Sequence, residues 1–191
     1  FYISQNNMKV LNMLNVKYFI IPIENGVQAQ QNPGVYGNAW FVRDVEWVDD
    51  ANAEILAIKE TDLKDAAIID NRFKDDIKMD FVYDEVGTIE LVSEQPNELV
   101  YKTKASIRQL AVFSEMYYQP GWQAYIDGEK VDHVRADYVL RAMNIPQGEH
   151  TVTFNFEPEV IQTGGTIALA STLVLVILIV GGFVFAYRKK A

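Results

Sequence analysis

The last apolar run of the chain, Ile167 to Tyr187, constrains everything before it. It reads IALASTLVLVILIVGGFVFAY, carries no charge, and is followed at once by Arg188, Lys189 and Lys190. At a rise of about 1.5 Å per residue, such a run spans roughly 30 Å as a helix, the thickness of a bilayer's hydrocarbon core. A helix in the core of a soluble domain keeps a polar edge, and this run has none. A transmembrane helix is therefore expected over residues 164–187, with a short tail at 188–191. Cytoplasmic flanks of spanning helices are enriched in Lys and Arg. The basic cluster after the span predicts a cell-membrane protein with its C-terminus in the cytoplasm and residues 1 to about 163 outside. A domain exported ahead of a C-terminal span needs an upstream signal. The opening Phe1-Tyr2-Ile3-Ser4-Gln5 has neither a basic n-region nor an apolar h-region. The expectation is the C-terminal part of a longer membrane protein whose earlier spans do the exporting.

Charge narrows the partners. All 26 acidic residues lie at or before Glu159, and three of the 17 basic residues follow the span. The part before the span thus carries a net charge of −12. Nucleic acid and anionic surfaces call for a basic patch, so nucleic acid is not expected as a partner. With no cysteine there is no disulfide framework, no thiol nucleophile and no thiolate metal site. About 160 residues suffice for a domain with a real core.

The first 80 residues read as a small α/β part. Ser4 or Asn6 can cap a helix over 4–14, with Val10, Leu11 and Leu14 on one face. Val16 to Pro22 is β-branched and aromatic, which predicts a buried strand. Glu24 to Asn38, with Asn25-Gly26 and Pro33-Gly34, predicts a long surface loop. Trp40, Val42, Val45 and Trp47 predict a strand with an irregularity near Asp44. A helix over 51–59, capped by Asp49 or Asp50, and a strand over 66–69 follow. Residues 71–80 read as a seam.

From residue 81 to 163 the period changes to two. Ile89 and Leu91 alternate; so do Leu99, Tyr101 and Thr103, then Leu110, Val112 and Ser114, then Trp122, Ala124 and Ile126. Asp127-Gly128 is a strong hairpin signal. Tyr138, Leu140 and Ala142 alternate before the Pro146-Gln147-Gly148 turn. Val152, Phe154 and Phe156 share one face of a last strand ended by Pro158. Short strands at this spacing predict an antiparallel β-sandwich. The fold class is α+β: a small α/β N-terminal part, an antiparallel sandwich, then one C-terminal transmembrane helix.

The stretch Ser114-Glu115-Met116-Tyr117-Tyr118-Gln119-Pro120-Gly121-Trp122 carries a resemblance, together with Arg141-Ala142, Ile145-Pro146-Gln147-Gly148-Glu149-His150 and Phe154-Asn155-Phe156-Glu157-Pro158. So do Leu14-Asn15-Val16-Lys17-Tyr18 and Pro96-Asn97-Glu98-Leu99-Val100-Tyr101. In this order they resemble the C-terminal region of the bacterial YfhO membrane-protein family. Gln119 departs from the family pattern, in which the Tyr pair usually runs straight into Pro-Gly-Trp. The resemblance implies a polytopic protein similar to membrane glycosyltransferases of the GT-C type. Those move sugar from a polyprenyl-phosphate carrier to a cell-surface polymer. Their catalytic carboxylate lies in a loop between early spans, so no catalytic residue is carried onto this sequence. The bilayer is the expected partner, and a polyprenyl-phosphate sugar and a surface glycan would be reached through the upstream part.

The candidate glycan contacts are Tyr117, Tyr118, Trp122 and Tyr125, because aromatic faces stack on the C–H faces of sugars. Packing competes with that role, most of all at Trp122, which alternates with Ala124 and Ile126. Glu115, Asp127, Asp132 and Asp137 lie nearby, but hydrolysis needs two carboxyls set across a sugar, and Asp127 has a turn role before Gly128. His133 and His150 are too few for a zinc site built on histidine alone. No catalytic residue, metal or cofactor is assigned. Two further readings stay open: a non-enzymatic membrane-anchored glycan-binding or assembly module, and a domain with catalysis of its own.

Overall fold

A computed structural model describes residues 5–78 and 83–189. Ser4, the end of the 71–80 seam and Lys190 lie outside the described residues.

Helix α1 (Gln5–Met13) leads into a hairpin of β1 (Tyr18–Ile23) and β2 (Gly26–Gln31), joined by the two-residue turn Glu24-Asn25. Two expectations change here. The strand expected to be buried is exposed at every position except the half-buried Phe19. Six residues of the expected loop form strand β2, which pairs back along the whole of β1. β-branched and aromatic residues signal extended backbone, but they do not say what covers it.

Strand β3 (Ala39–Val42) ends before a bend at Arg43, and β4 (Asp44–Val48) begins a different sheet. The irregularity expected near Asp44 is this change of sheet. Strand β4 runs parallel to β5 (Ala66–Asp70), with α2 (Ala51–Ala57) in the crossover. Asp50 caps α2, its carboxylate accepting from Ala53 N at 2.8 Å.

The remaining strands form the sandwich. They are β6 (Thr88–Gln95), β7 (Glu98–Ala105), β8 (Gln109–Met116), β9 (Trp122–Ile126), β10 (Glu129–Val131), β11 (Val134–Ala136), β12 (Leu140–Ile145) and β13 (Gly148–Phe156). One sheet has the order β10-β9-β13-β7-β6, the other β11-β12-β8-β3, all antiparallel. The fold is α+β, as the change of period implies. Asp127 and Gly128 form the β9–β10 turn with φ of 52° and 87°, the left-handed pair that a tight hairpin requires.

The four-stranded sheet is covered on both faces. Phe41, Ala111, Phe113, Met143 and Ile145 face the five-stranded sheet and its Tyr101, Val152 and Phe154. Trp40, Val42, Leu110, Val112, Leu140 and Ala142 face Leu63, Ile68 and Ile69 of the α/β unit. Strand β8 is consequently buried at every residue from Gln109 to Phe113, where the sequence pattern suggested one apolar face. The molecule has three layers: the five-stranded sheet, the four-stranded sheet and the α/β unit with α1.

Helix α3 (Glu159–Arg188) follows β13 after only Glu157 and Pro158. It begins before the expected span, since Pro158 suits a helix start and Glu159 suits the positive N-terminal end. Its described side chains are exposed, and Glu159–Phe185 is long and apolar enough to cross a membrane. The Ser171 and Thr172 hydroxyls donate to Ile167 O and Ala168 O, both at 2.8 Å. These polar groups are satisfied within the helix, as a lipid surrounding demands.

Candidate functional site

Two of the motif stretches, Ser114–Trp122 and Phe154–Pro158, meet where the chain leaves the sandwich for α3. Trp122 pairs with Phe156, the last residue of β13. Their rings meet edge to face at 5.3 Å. Glu157 N donates to Gly121 O at 2.7 Å, and Trp122 N to Tyr118 O at 3.0 Å. Gly121 has no room for a side chain: a Cβ there would sit 2.3 Å from Phe156 and 2.8 Å from Tyr118. The Pro-Gly-Trp turn is thus a clamp on the linker between sheet and helix.

The same end holds a cleft of about 430 Å³ lined by Glu94, Gln95, Pro96, Leu99, Glu115 and Trp122. The β6–β7 hairpin supplies the first four, and Asn97 O in its turn accepts from Phe156 N at 2.9 Å. Behind the wall lies Arg141, 1% exposed. Its guanidinium stacks on Trp122 at 4.4 Å and on Phe154 at 5.0 Å, and its Nε donates to Met116 O at 2.8 Å. A register shift between Leu140 and Arg141 in the β12–β8 pairing accompanies this inward placement. The Nη1 atom of Arg141 and the hydroxyl of Tyr101 are buried without hydrogen-bond partners.

Burial and charge set the protonation states around this cation. Burial lowers Arg141 to about 10, with Glu115 and Tyr101 opposing. Burial raises the Glu115 carboxyl, and Arg141 pulls it back down. His133 is lowered to about 4, first by burial and then by Arg141, so it is neutral at pH 7. Its ring lies edge to face with Tyr117 at 5.4 Å and Phe154 at 5.7 Å.

The four sequence candidates take different positions. Tyr118 is 53% exposed beside Gly121. Trp122 points inward on its strand and borders the cleft. Tyr125 lies on the outer face of the sheet, where its hydroxyl donates to Glu157 Oε2 at 2.9 Å. Tyr117 turns away and packs against Phe73 at 6.2 Å as well as His133. Tyr118, Trp122 and Tyr125 therefore surround the linker to α3, and Tyr117 belongs to the interior. Glu94 of the cleft, 28 residues upstream of Trp122, has no signal in the sequence, and Pro96, though it opens a quoted motif, has none that places it against Trp122. Arg141 lies within a quoted motif, but its alternation with Leu140 and Ala142 does not predict a buried cation.

The other polar constellations are structural in form. His150 Nδ1 lies 2.6 Å from Asp127 Oδ2, and Nε2 lies 3.0 Å from Gln147 O. Both ring nitrogens face acceptors, so both donate and the imidazolium is favoured; neither is left as a base. The hydrogen bonds to Asp127 and Gln147 raise His150, and the bond from His150 lowers Asp127. This clasp sits where the β9–β10 turn meets the start of β13, at the end of the five-stranded sheet remote from α3. Among the described residues, no group of three or more His, Asp or Glu side chains is arranged to hold a metal ion.

The arrangement at the α3 end can bind: it offers aromatic surface, two carboxylates and a buried cation, without a nucleophile paired to a base. No curated protein and no solved structure matches the chain. A family model described as "Bacterial membrane protein YfhO" matches residues 85–168. The matched stretch runs from just before β6, through the cleft and the Pro-Gly-Trp clamp, into the first turns of α3. Residues 85–168 of this chain thus match the YfhO family of bacterial membrane proteins, the family whose C-terminal region the sequence motifs resemble.

Proposed function

We propose that the chain forms the extracytoplasmic C-terminal domain and last span of a polytopic membrane protein. In this reading the whole protein moves sugar from a polyprenyl-phosphate carrier to a cell-surface polymer. The present segment guides the acceptor or steadies the bundle and carries no catalytic carboxylate. One observation supports it above others. The cleft beside Trp122, with Glu94 and Glu115, opens at the end of the sandwich from which α3 departs. A carrier-linked sugar must be presented at the bilayer surface. An acceptor held against this end lies next to it.

The chemistry of the cleft fits a glycan. An aromatic ring offers a stacking face, and carboxylates accept from sugar hydroxyls. The test is retention of the full chain, in detergent, on immobilised cell-wall polysaccharide. Glu94→Gln combined with Glu115→Gln, both in the cleft wall, is expected to cut retention several-fold while leaving a cooperative thermal unfolding transition, because neither side chain is a core residue and each substitution keeps its size. Undiminished retention by the folded double variant refutes this placement.

A further inference from the structure

The β1–β2 hairpin exposes apolar side chains that no other part of the described chain covers. Tyr18 is 61%, Ile20 73% and Val27 69% exposed. The pairs Tyr18–Gln31, Ile20–Ala29 and Pro22–Val27 put one face together, and Phe19, Ile21 and Ile23 lie on the other. Within Tyr18–Ile23 and Gly26–Gln31 there is no charge; Lys17 stands at the root and Glu24 in the turn. An isolated two-stranded ribbon is marginal in water, so this one needs a cover.

Its root shows where the cover lies. Buried Asn32 ties the two strands to α1, donating to Val16 O and to Asn12 Oδ1, both at 2.9 Å. Asn15 donates to Asn38 Oδ1 at 2.6 Å. Ser114 Oγ donates to Met13 O at 2.7 Å, and Ser114 N to Asn38 O at 2.9 Å. Ser114 is two residues from the end of β8. That end joins, through Tyr117–Gly121, the start of β9, where the Glu157–Gly121 bond holds the linker to α3. Hairpin root and membrane helix thus leave the same end of the sandwich. Exposed Leu14, Met116 and Tyr118 lie on that end too.

We propose that the β1–β2 hairpin lies in the interface of the bilayer that α3 crosses, as a second, non-spanning contact with lipid. The lateral edges of the ribbon leave backbone N–H and C=O groups unpaired, which excludes the hydrocarbon centre and places the ribbon at the headgroup–acyl boundary. Tyr18 is suited to that depth, and the glutamines of β2 can bond to headgroups. With the part before the span so acidic, attachment rests on apolar burial. Neutral lipid therefore suffices for it.

The inference rests on reading α3 as a membrane span, and the experiment separates the two. The chain has no cysteine, so a single introduced one carries a unique label. Ile20→Cys, Val27→Cys, Ile55→Cys and Leu175→Cys variants of the full chain would be labelled with an environment-sensitive fluorophore and reconstituted in phosphatidylcholine vesicles. Spin-labelled lipid is expected to quench the Ile20 and Val27 labels at least twofold, with blue-shifted emission, and to leave the exposed α2 site Ile55 water-like. Quenching at Leu175 without quenching at Ile20 and Val27 overturns the hairpin proposal alone. A blue shift there without lipid quenching also overturns it, since protein would then be the cover. No quenching at Leu175 overturns the membrane span itself.

Discussion

Asp137 is fully enclosed where β11 meets the α/β unit. Its Oδ1 accepts from Ile68 N at 2.9 Å, its backbone N donates to Ile68 O at 2.9 Å, and its Oδ2 has no partner. Burial raises its carboxyl to about 7, opposed by the Ile68 hydrogen bond and reinforced by buried Glu54. Glu54 is itself held by Arg135 at 2.5 Å and by Tyr138 N at 2.8 Å. A raised carboxyl favours folding while it is protonated, below its ordinary value of 3.8. That advantage is lost as pH rises from there through about 7. Three units correspond to roughly 4 kcal/mol as a ceiling. Asp137→Asn keeps the acceptor for Ile68 and removes the titration. Denaturant unfolding should show wild-type stability falling between pH 4 and 8, and a flatter profile for the variant. Parallel profiles would show that Asp137 stays ionised throughout. Its φ of 50° and that of Tyr138, 71°, mark a tight turn that the sequence did not announce.

Between elements, the Asp127–His150 clasp joins the β9–β10 turn to the start of β13, and Thr151 N also donates to Asp127 at 2.8 Å. His150 is raised above 6.5, so its contribution is complete below that pH and is lost as pH climbs through the folded value. Asp127 is lowered below 3.8, so its contribution is present above that pH and is lost as pH falls through the folded value. The window of full effect lies between the two. His150→Ala should lower the unfolding midpoint most near pH 5.5 and progressively less above neutrality. A penalty constant from pH 5.5 to 9 would mean that the ring acts by packing alone. The Asp127 turn was legible as a dipeptide. The pairing with His150 was not, because 23 residues separate them and only the β13–β9 register brings them together.

At the scale of the whole molecule, the three-layer stack and the helix define an oriented object. One end bears the Asp127–His150 clasp; the other bears the cleft, the hairpin root and α3. The proposed orientation across the bilayer rests on charge: Arg188 and Lys189 close the C-terminal end of α3, while residues 1–163 sum to −12. A membrane-impermeant maleimide applied to intact cells should label Lys130→Cys, on exposed β10, and should label Arg188→Cys only after permeabilisation. The reverse pattern would put the sandwich in the cytoplasm and remove the glycan reading with it.

Sequence alone determined what depends on local spacing. A charge-free helix of hydrocarbon length, a two-residue period through the sandwich, the Asp-Gly hairpin and the family motifs were all readable, because each lies within a few consecutive residues. Tertiary structure alone decided what depends on burial and on long-range pairing. The run Tyr18–Ile23 has the composition of a core strand yet stands uncovered, while β8 has a one-faced pattern yet is enclosed on both sides. Extended backbone follows from side-chain shape, but burial follows from which other element arrives to cover it. Likewise Arg141 became a cation stacked between Trp122 and Phe154 only when β9, β12 and β13 were brought together.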